Sequence, residues 1–285
     1  MRLAAVTMVY NEVDYIDLWC RHYGAQVGAE NCFVIDHGSD DGTTDGLDPV
    51  KVVRIPRSPQ DDAWRAGMIS RLCAELLTSY DVVIYVDVDE FLVADPRYHR
   101  NLADCARAMT GPVMTAIGLE VWHLAESQPA IDIGRPISLQ RDWVWFSSGL
   151  CKASMIREPA TWSPGFHSTE SPVAFDHLYL FHLRYFDVTR GLNRLARTRQ
   201  MPWAFDYIGR HQRVTDEGWL DIVRRTAKRP KSKVTDLDAR KEPLASLLRD
   251  VVESQAGRET ETYKIKLNIV SEALLPLPAR FHGRF

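Results

Sequence analysis

The sequence predicts an α/β fold with a mostly parallel sheet flanked by helices. Short apolar runs typical of buried strands alternate with segments that carry apolar residues at helical spacing. The strand-like runs cover residues 3–9, 32–35, 51–55 and 82–86, and the helical segments cover residues 15–22 and 64–77. Because strands joined through helices run parallel with right-handed crossovers, this alternation predicts a parallel sheet.

The later part of the chain has a different pattern. Residues 113–121 form a further strand-like run, residues 122–185 are rich in aromatic side chains, and helical spacing dominates from residue 187 onward. A length of 285 residues exceeds the usual size of a single domain. We therefore predict a main domain over residues 1–190 and a mainly helical C-terminal extension over residues 191–285, packed on it.

Composition excludes several classes of protein. A hydrophobic content of 45% and a charged content of 26% are typical of folded proteins, and a net charge of -3 argues against a nucleic-acid partner. Five cysteines without a C-x-x-C pair predict buried thiols in a reducing, cytoplasmic compartment. The first strand-like run leaves no room for a signal peptide, and no apolar stretch reaches the length of a membrane span.

A basic segment interrupts the C-terminal helical region. Residues 224–233 are rich in Arg and Lys and contain no acid. This pattern is typical of a solvated helix end followed by a linker. It also suits peripheral contact with an anionic membrane surface or an anionic acceptor, and both interpretations stay open.

Acidic residues follow the most apolar strand. Asp87, Asp89 and Glu90 come directly after the run 82–86. In an open α/β sheet, ligands bind outside the carboxyl ends of the strands. The side chains of Asp87 and Asp89 point to the same side of an extended chain, so both carboxylates can serve one divalent cation. The alternative is a solvated acidic turn.

Polar residues also follow the first two strands. Tyr10, Asn11 and Glu12 end the first strand, and Asn11 can cap the helix that follows. A glycine-bearing loop over residues 36–43 ends the second strand. No Lys follows its second glycine, so it is not a phosphate loop, and its three acids suit hydrogen bonds to a base or a ribose. A capped turn without a ligand is the alternative for Tyr10 to Glu12.

In these strand-end residues the chain resembles the GT-A glycosyltransferases, specifically their family-two-like bacterial branch. The resemblance lies in three segments, residues 7–12, 34–43 and 86–92, which follow strands in the family's order. It implies a Rossmann-like GT-A sheet and a nucleotide-sugar donor, expected to be a UDP-sugar. The residues that it implies for the nucleotide are Thr7, Tyr10, Asn11, Glu12, Asp36 and Asp87.

The resemblance also implies a divalent metal, Mn²⁺ or Mg²⁺, on the donor diphosphate. Asp87 and Asp89 form the Asp-x-Asp pair, and His182 at the end of an apolar run resembles a further metal ligand. Imidazole together with carboxylates suits Mn²⁺, whereas Mg²⁺ prefers oxygen ligands alone. Lys152 resembles a basic residue that neutralises diphosphate. The alternative for His182 is a strand-end histidine that only makes hydrogen bonds, and the alternative for Lys152 is an ordinary surface lysine.

The chain departs from the family at two points. His37 stands where many family-two enzymes have a second aspartate, and the usual Glu-Asp base motif is not evident. We expect the catalytic base in a polar loop between aromatic runs, as Glu170 with His167 beside it, and an inverting transfer. Glu120 and Asp142, which also neighbour tryptophans, remain competitors.

The predicted function is metal-dependent transfer of a sugar to a hydroxyl of a glycan, a lipid-linked molecule or another acceptor. The resemblance favours a role in bacterial surface glycan or glycoconjugate synthesis, in the cytoplasm or at the inner face of the membrane. Two other functions remain open: a metal-dependent phosphohydrolase, and a protein that binds nucleotides or carbohydrates without catalysis. A phosphohydrolase of the Asp-x-Asp type expects Thr or Val where Phe91 stands, and a binding protein need not keep the Asp-x-Asp pair.

Overall fold

The computed structural model describes residues 1–207, 209–255 and 263–285. The first half of the chain alternates strands and helices as predicted. Its elements are β1 (Leu3–Val9), α1 (Ile16–Val27), β2 (Cys32–Asp36), β3 (Lys51–Arg54), α2 (Asp62–Leu76), β4 (Val82–Tyr85), β5 (Glu90–Ala94) and α3 (Leu102–Arg107).

The second half begins with strands and continues with helices. Its elements are β6 (Val113–Trp122), β7 (Trp143–Phe146), β8 (Ala153–Ile156), β9 (Phe175–His182), α4 (Val188–Gln200), α5 (Asp216–Ala227), α6 (Leu244–Glu253) and β10 (Leu275–Pro276).

One sheet joins all of these strands. Its parallel part has the order β3-β2-β1-β4, and β1 pairs in parallel with both β2 and β4. From β4 the sheet continues through β8, β6, β7 and β10 with antiparallel pairing. β9 pairs in parallel with β6 and antiparallel with β5. The predicted α/β class with parallel strands flanked by helices is confirmed, and the sheet as a whole is mixed.

Strand β1 lies in the centre of the parallel part. All seven of its residues are buried, because helices cover both faces of the sheet. Ala5 and Val9 pack towards α1, whereas Val6 and Met8 pack towards α2. Apolar residues on both sides of a strand are typical of a doubly covered parallel sheet, so the continuous apolar run follows from the architecture.

Helix α1 does not begin as predicted. It starts at Ile16, and the cap residue Tyr15 makes no side-chain cap hydrogen bond. Asn11 has a φ of 54° and exchanges two hydrogen bonds with Asp40, at 2.8 and 3.0 Å. Asparagine tolerates this left-handed conformation, and its side chain joins two loops instead of capping the helix.

The C-terminal residues return to the sheet. β10 pairs with β7, and the ring of Phe281 lies 5.1 Å from Tyr179 and 5.3 Å from Phe181 of β9. The helices α5 and α6 lie within the predicted extension, and α4 crosses its predicted boundary. The boundary at residue 190 stays a prediction.

The structure also shows the surroundings of the cysteines and of the basic segment. All five cysteines are free thiols, and four of them are buried. Within the described ranges, no helix is both long enough and apolar enough to cross a membrane. In the basic segment, Arg229 lies over the ring of Trp145 and Lys231 over that of Trp143. Membrane contact by residues 224–233 stays a prediction.

Candidate functional site

The loops after β1, β2 and β4 meet at one edge of the sheet. The backbone N–H of His37 donates to the carbonyl of Val9 at 2.8 Å, and that of Glu12 donates to Oγ1 of Thr43 at 2.8 Å. The carboxyl ends of neighbouring parallel strands lie together, so these loops share one edge. A cavity of ≈ 190 Å³ lies beside them and is also lined by residues of α2, α4 and β9.

Asp36 and Thr7 lie beneath this edge. The buried carboxylate of Asp36 accepts hydrogen bonds from the backbone N–H of Ser39 at 2.7 Å, from Oγ1 of Thr44 at 2.8 Å and from Nε of Arg54 at 2.8 Å. Burial alone would raise the pKa of Asp36, but these hydrogen bonds lower it below its ordinary value. Thr7 is fully buried within β1 and does not line the cavity. Both residues therefore lie beneath the loops of this edge and are not exposed to the cavity.

Tyr10 and His37 line the cavity, and each of them packs against another flat group. The guanidinium of Arg57 lies 3.8 Å from the ring centre of Tyr10, and the ring of His37 stacks on Trp64 at 5.2 Å. Arg57 donates to Nδ1 of His37 at 2.8 Å, and Nε2 of His37 lies 3.0 Å from the hydroxyl of Ser58. Burial, and then the charge of Arg57, lowers the pKa of His37 to about 4, so this imidazole is neutral. Such flat surfaces suit a planar base.

Asp87 is held by two basic residues. It pairs with Arg65 of α2 and accepts from Nζ of Lys152 at 2.7 Å. Lys152 also pairs with Glu90 at 2.7 Å. Burial would raise the pKa of Asp87, but the charges of Arg65 and Lys152 hold it well below its usual range. Lys152 is therefore buried between two carboxylates and does not line the cavity, and its role at a diphosphate stays a prediction.

Asp89 is held by Arg194 of α4 and by His182 of β9. Nε2 of His182 lies 3.1 Å from Asp89, and Nδ1 lies 2.6 Å from a carboxylate oxygen of Glu120. Burial would lower the pKa of His182, but the charges of Glu120 and Asp89 raise it to about 10. The ring is therefore an imidazolium with both N–H groups donating. The sequence prediction that His182 lies near Asp89 in space agrees with this geometry.

The residues predicted to bind a metal do not fit one in this arrangement. Nδ1 of His182 lies 2.6 Å from Glu120 and Nε2 lies 3.1 Å from Asp89, so both ring nitrogens are already within hydrogen-bond distance of a carboxylate. The carboxylate of Asp89 is engaged by Arg194, and that of Asp87 by Arg65 and Lys152. Among the residues that the structure describes, no group of three or more His, Cys, Asp or Glu side chains could hold a metal ion.

The predicted base residues lie outside the cavity lining. Glu170 is exposed, and its carboxylate accepts from the backbone N–H of Thr161 at 2.8 Å. His167 is half-buried in the same loop. The ring of Phe166, in the same loop, is 5.3 Å from the guanidinium of Arg65, which lines the cavity. The loop that carries Glu170 and His167 therefore adjoins the cavity on its Arg65 side.

The two competitors for the base lie in different places. Glu120 orients His182 and also accepts from the backbone N–H of Arg184 at 3.1 Å. Asp142 accepts from Gln128 at 3.2 Å, and neither residue lines the cavity.

The guanidinium groups of the site were not predicted from the sequence. Arg65 and Arg194 line the cavity, together with Arg184. Arg194 contacts both Glu12 and Asp89, although it lies 182 residues from the first and 105 from the second. Helix α4 also carries Arg190, Arg197 and Arg199, and no local feature of the sequence distinguishes Arg194 from them.

Together the fold and the site define an α/β protein with a charged cleft at the carboxyl edge of its parallel strands. No family model matches the chain, and no curated protein matches it. Among solved structures, the chain is similar to a mannosyltransferase from Pyrobaculum calidifontis in complex with GDP-Man and Mn²⁺. The TM-score is 0.28 at 18% identity, and the match covers 43% of this chain and 35% of that one.

Two further similarities are to a mannose-1-phosphate geranyltransferase from Thermus thermophilus and to a CMP:2-keto-3-deoxy-manno-octonic acid synthetase complexed with CTP. The first has a TM-score of 0.33 at 10% identity and covers 79% of this chain and 65% of that one. The second has a TM-score of 0.29 at 10% identity and covers 56% and 65%. The chain thus spans less than two thirds of each of these proteins. Scores of this size support no conclusion about its function.

Proposed function

We propose that the chain is a glycosyltransferase that takes a sugar from a nucleoside diphosphate donor and transfers it to an acceptor hydroxyl. The observation that carries this proposal is the meeting of three strand-end loops beside one cavity lined by both carboxylates and guanidinium groups. Flat groups at Tyr10 and His37 suit the base, and Arg65 and Arg194 suit a charged leaving group.

The chemistry explains why cations are needed in such a cleft. Cleavage of the bond between the anomeric carbon and the diphosphate leaves negative charge on the diphosphate. Positive groups held in place before the reaction stabilise that charge in the transition state. Because the described donors do not fit a metal ion, we assign no step to one. The metal dependence implied by the resemblance stays a prediction.

The acceptor must lose a proton as the new bond forms. We propose that Glu170, with His167 beside it, serves the acceptor side, since their loop packs through Phe166 against Arg65 at the cavity. The donor is proposed to be a UDP-sugar, with inversion at the anomeric carbon. The acceptor is proposed to be a glycan, a lipid-linked molecule or another hydroxyl compound, in bacterial surface glycan or glycoconjugate synthesis.

Thermal-shift measurements with UDP, GDP, CDP and ADP test donor binding, in EDTA and separately with Mn²⁺. A ligand at about 100 times its Kd should add about 2.7 kcal/mol to stability. The matching nucleoside monophosphate and inorganic phosphate serve as controls. If no nucleoside diphosphate raises the melting temperature in either condition, the proposal is wrong.

Release of the nucleoside diphosphate from the matching nucleotide sugar then tests catalysis. Binding without any release would favour a non-catalytic binding protein. The variants Glu170→Gln and His167→Ala should lower turnover while leaving donor binding unchanged. Turnover near that of the unaltered protein in both variants would contradict the assignment of the base.

A further inference from the structure

Arg194 lies between two carboxylates that follow different strands. Its Nε and Nη2 donate to Oε1 of Glu12 at 3.0 and 2.7 Å, and its Nη1 donates to Asp89. The ring of Tyr15 lies 4.6 Å from the guanidinium carbon. Contacts with three residues from two segments of the chain therefore fix this guanidinium in one orientation.

These contacts leave part of the guanidinium for a ligand. An arginine side chain has five N–H hydrogens, and Glu12 and Asp89 accept three of them. The remaining two lie one on each Nη atom, and Arg194 lines the cavity. Two N–H groups on one rigid plane match a pair of phosphate oxygens.

The position of Arg194 also opposes a cation at Asp89. A divalent ion bound there would lie next to the guanidinium and next to His182, which is held between Asp89 and Glu120. Among the described residues that line the cavity, the carboxylates Glu12, Asp87 and Asp89 are matched by the guanidinium groups of Arg65, Arg184 and Arg194. The lining therefore has no excess of negative charge to attract a metal ion.

Helix α4 is held in the position that this contact needs. Gly191, one turn before Arg194, packs against the ring of Trp219 on α5, and a Cβ at Gly191 would lie 2.7 Å from Cη2 of that ring. Only the ring of Trp219 lies between the two helices at this point, and a Cβ at Gly191 would also lie 3.1 Å from the carbonyl oxygen of Arg184, just after β9, so α4 lies close to the sheet edge. The guanidinium thus reaches Asp89 without help from a mobile loop.

We propose that Arg194 binds the diphosphate of the donor directly and that the donor binds without a divalent cation. This inference rests on the proposed function and adds which group carries the positive charge. Glu12 and Asp89 then act as positioning residues, since they hold the guanidinium and leave two of its hydrogens for the ligand. The inference departs from the metal dependence that the sequence predicts.

Isothermal titration calorimetry with UDP, GDP, CDP and ADP tests this inference, in EDTA and separately in Mn²⁺. The unaltered protein should bind one of these nucleotides in EDTA, with little change when Mn²⁺ replaces EDTA. Arg194→Gln should weaken binding in EDTA about ten- to hundredfold, because it removes a charged hydrogen-bond donor. Arg194→Lys should keep part of the affinity, because lysine keeps the positive charge. A higher affinity of Arg194→Lys than of Arg194→Gln therefore shows that the charge at this position contributes to binding.

Arg190→Gln is the matched control. Arg190 lies on the same helix and pairs with Asp14 at 3.4 Å, away from the cavity lining. Its substitution should leave nucleotide affinity unchanged. Binding that requires Mn²⁺ overturns this inference and leaves the proposed function standing. Equal affinities of Arg194→Gln and Arg190→Gln in EDTA also overturn it, and no binding in either condition contradicts the proposed function itself.

Discussion

At the scale of single residues, the site is a set of buried charges that neutralise one another. Lys152 is nearly inaccessible and lies 2.7 Å from both Asp87 and Glu90. Moving charges out of water costs several kcal/mol for each ion, and only close partners offset that cost. The loss of one partner therefore leaves an uncompensated charge in the protein interior.

Lys152→Met tests this dependence. We expect a loss of about 3–5 kcal/mol in the free energy of unfolding, because Glu90 loses its positive partner and Asp87 keeps only Arg65. Urea denaturation at pH 7 measures the change. Lys241→Met is the control, since Lys241 is largely exposed and pairs with Asp236 at 3.1 Å, so we expect about 1 kcal/mol or less. Similar losses in the two variants would contradict the argument.

At the scale of elements, the contact between α4 and α5 positions Arg194. Gly191 is in van der Waals contact with Trp219, whose ring also stacks on Tyr185 at 5.2 Å. Glycine in a helix interior normally costs about 0.5–1 kcal/mol relative to alanine. Here the missing side chain allows the close approach of two helices, which offsets that cost.

Gly191→Ala should destabilise the protein, because the new methyl group would overlap Trp219 and overpacking costs about 1–3 kcal/mol. The same substitution should weaken nucleotide binding by moving Arg194. Gly67→Ala in α2 is the matched control. A Cβ there would meet only the side chain of Arg71 at 3.5 Å, so we expect a gain of about 0.5–1 kcal/mol. Thermal melts and calorimetry check both effects, and a stabilised Gly191→Ala would refute the packing argument.

At the scale of the whole molecule, an ion-pair network holds the C-terminal segment to the sheet. Asp95, directly after β5, is fully buried and pairs with Arg97 at 2.8 Å and with Arg280 at 3.1 Å. Burial alone would raise the pKa of Asp95, but hydrogen bonds and charges from Arg97 and Arg280 lower it. This carboxylate links positions 185 residues apart in the chain.

The lowered pKa of Asp95 makes its contribution depend on pH. The unfolded value is about 3.9, so the contribution is complete above that pH and is lost as the pH falls through the lower folded value. Asp95→Asn should therefore be less stable than the unaltered protein at pH 7, by roughly 2–4 kcal/mol. The difference should shrink below about pH 4.

Urea denaturation between pH 7 and pH 3 measures this difference. Asp104→Asn provides a comparison, because Asp104 pairs with the exposed Arg100 at 2.7 Å. We expect a smaller difference for that variant at pH 7. A stability difference for Asp95→Asn that does not vary with pH would contradict a role for its ionised form.

Local patterns in the chain were sufficient to predict the parallel part of the sheet and the edge where the site lies. The apolar run before Asp87 and Asp89 is typical of a strand that is buried on both faces, and the two acids mark where this strand ends. Both features can be recognised from neighbouring residues in the sequence alone. The same holds for the loop that begins at Asp36. The antiparallel pairing of β6, β7 and β8 was not predicted, because strand pairing over such distances depends on packing.

The charge partners of the site could be found only in the folded molecule. Asp87 meets Arg65 across 22 residues and Lys152 across 65, and Asp89 meets Arg194 across 105. A pattern of residue types predicts which carboxylates leave the sheet edge but not which cations reach them, since that depends on how α2, α4 and β8 pack. The proposal that Arg194 binds the diphosphate in place of a metal ion depends on this packing, because the close contact of α4 with α5 determines where the guanidinium lies.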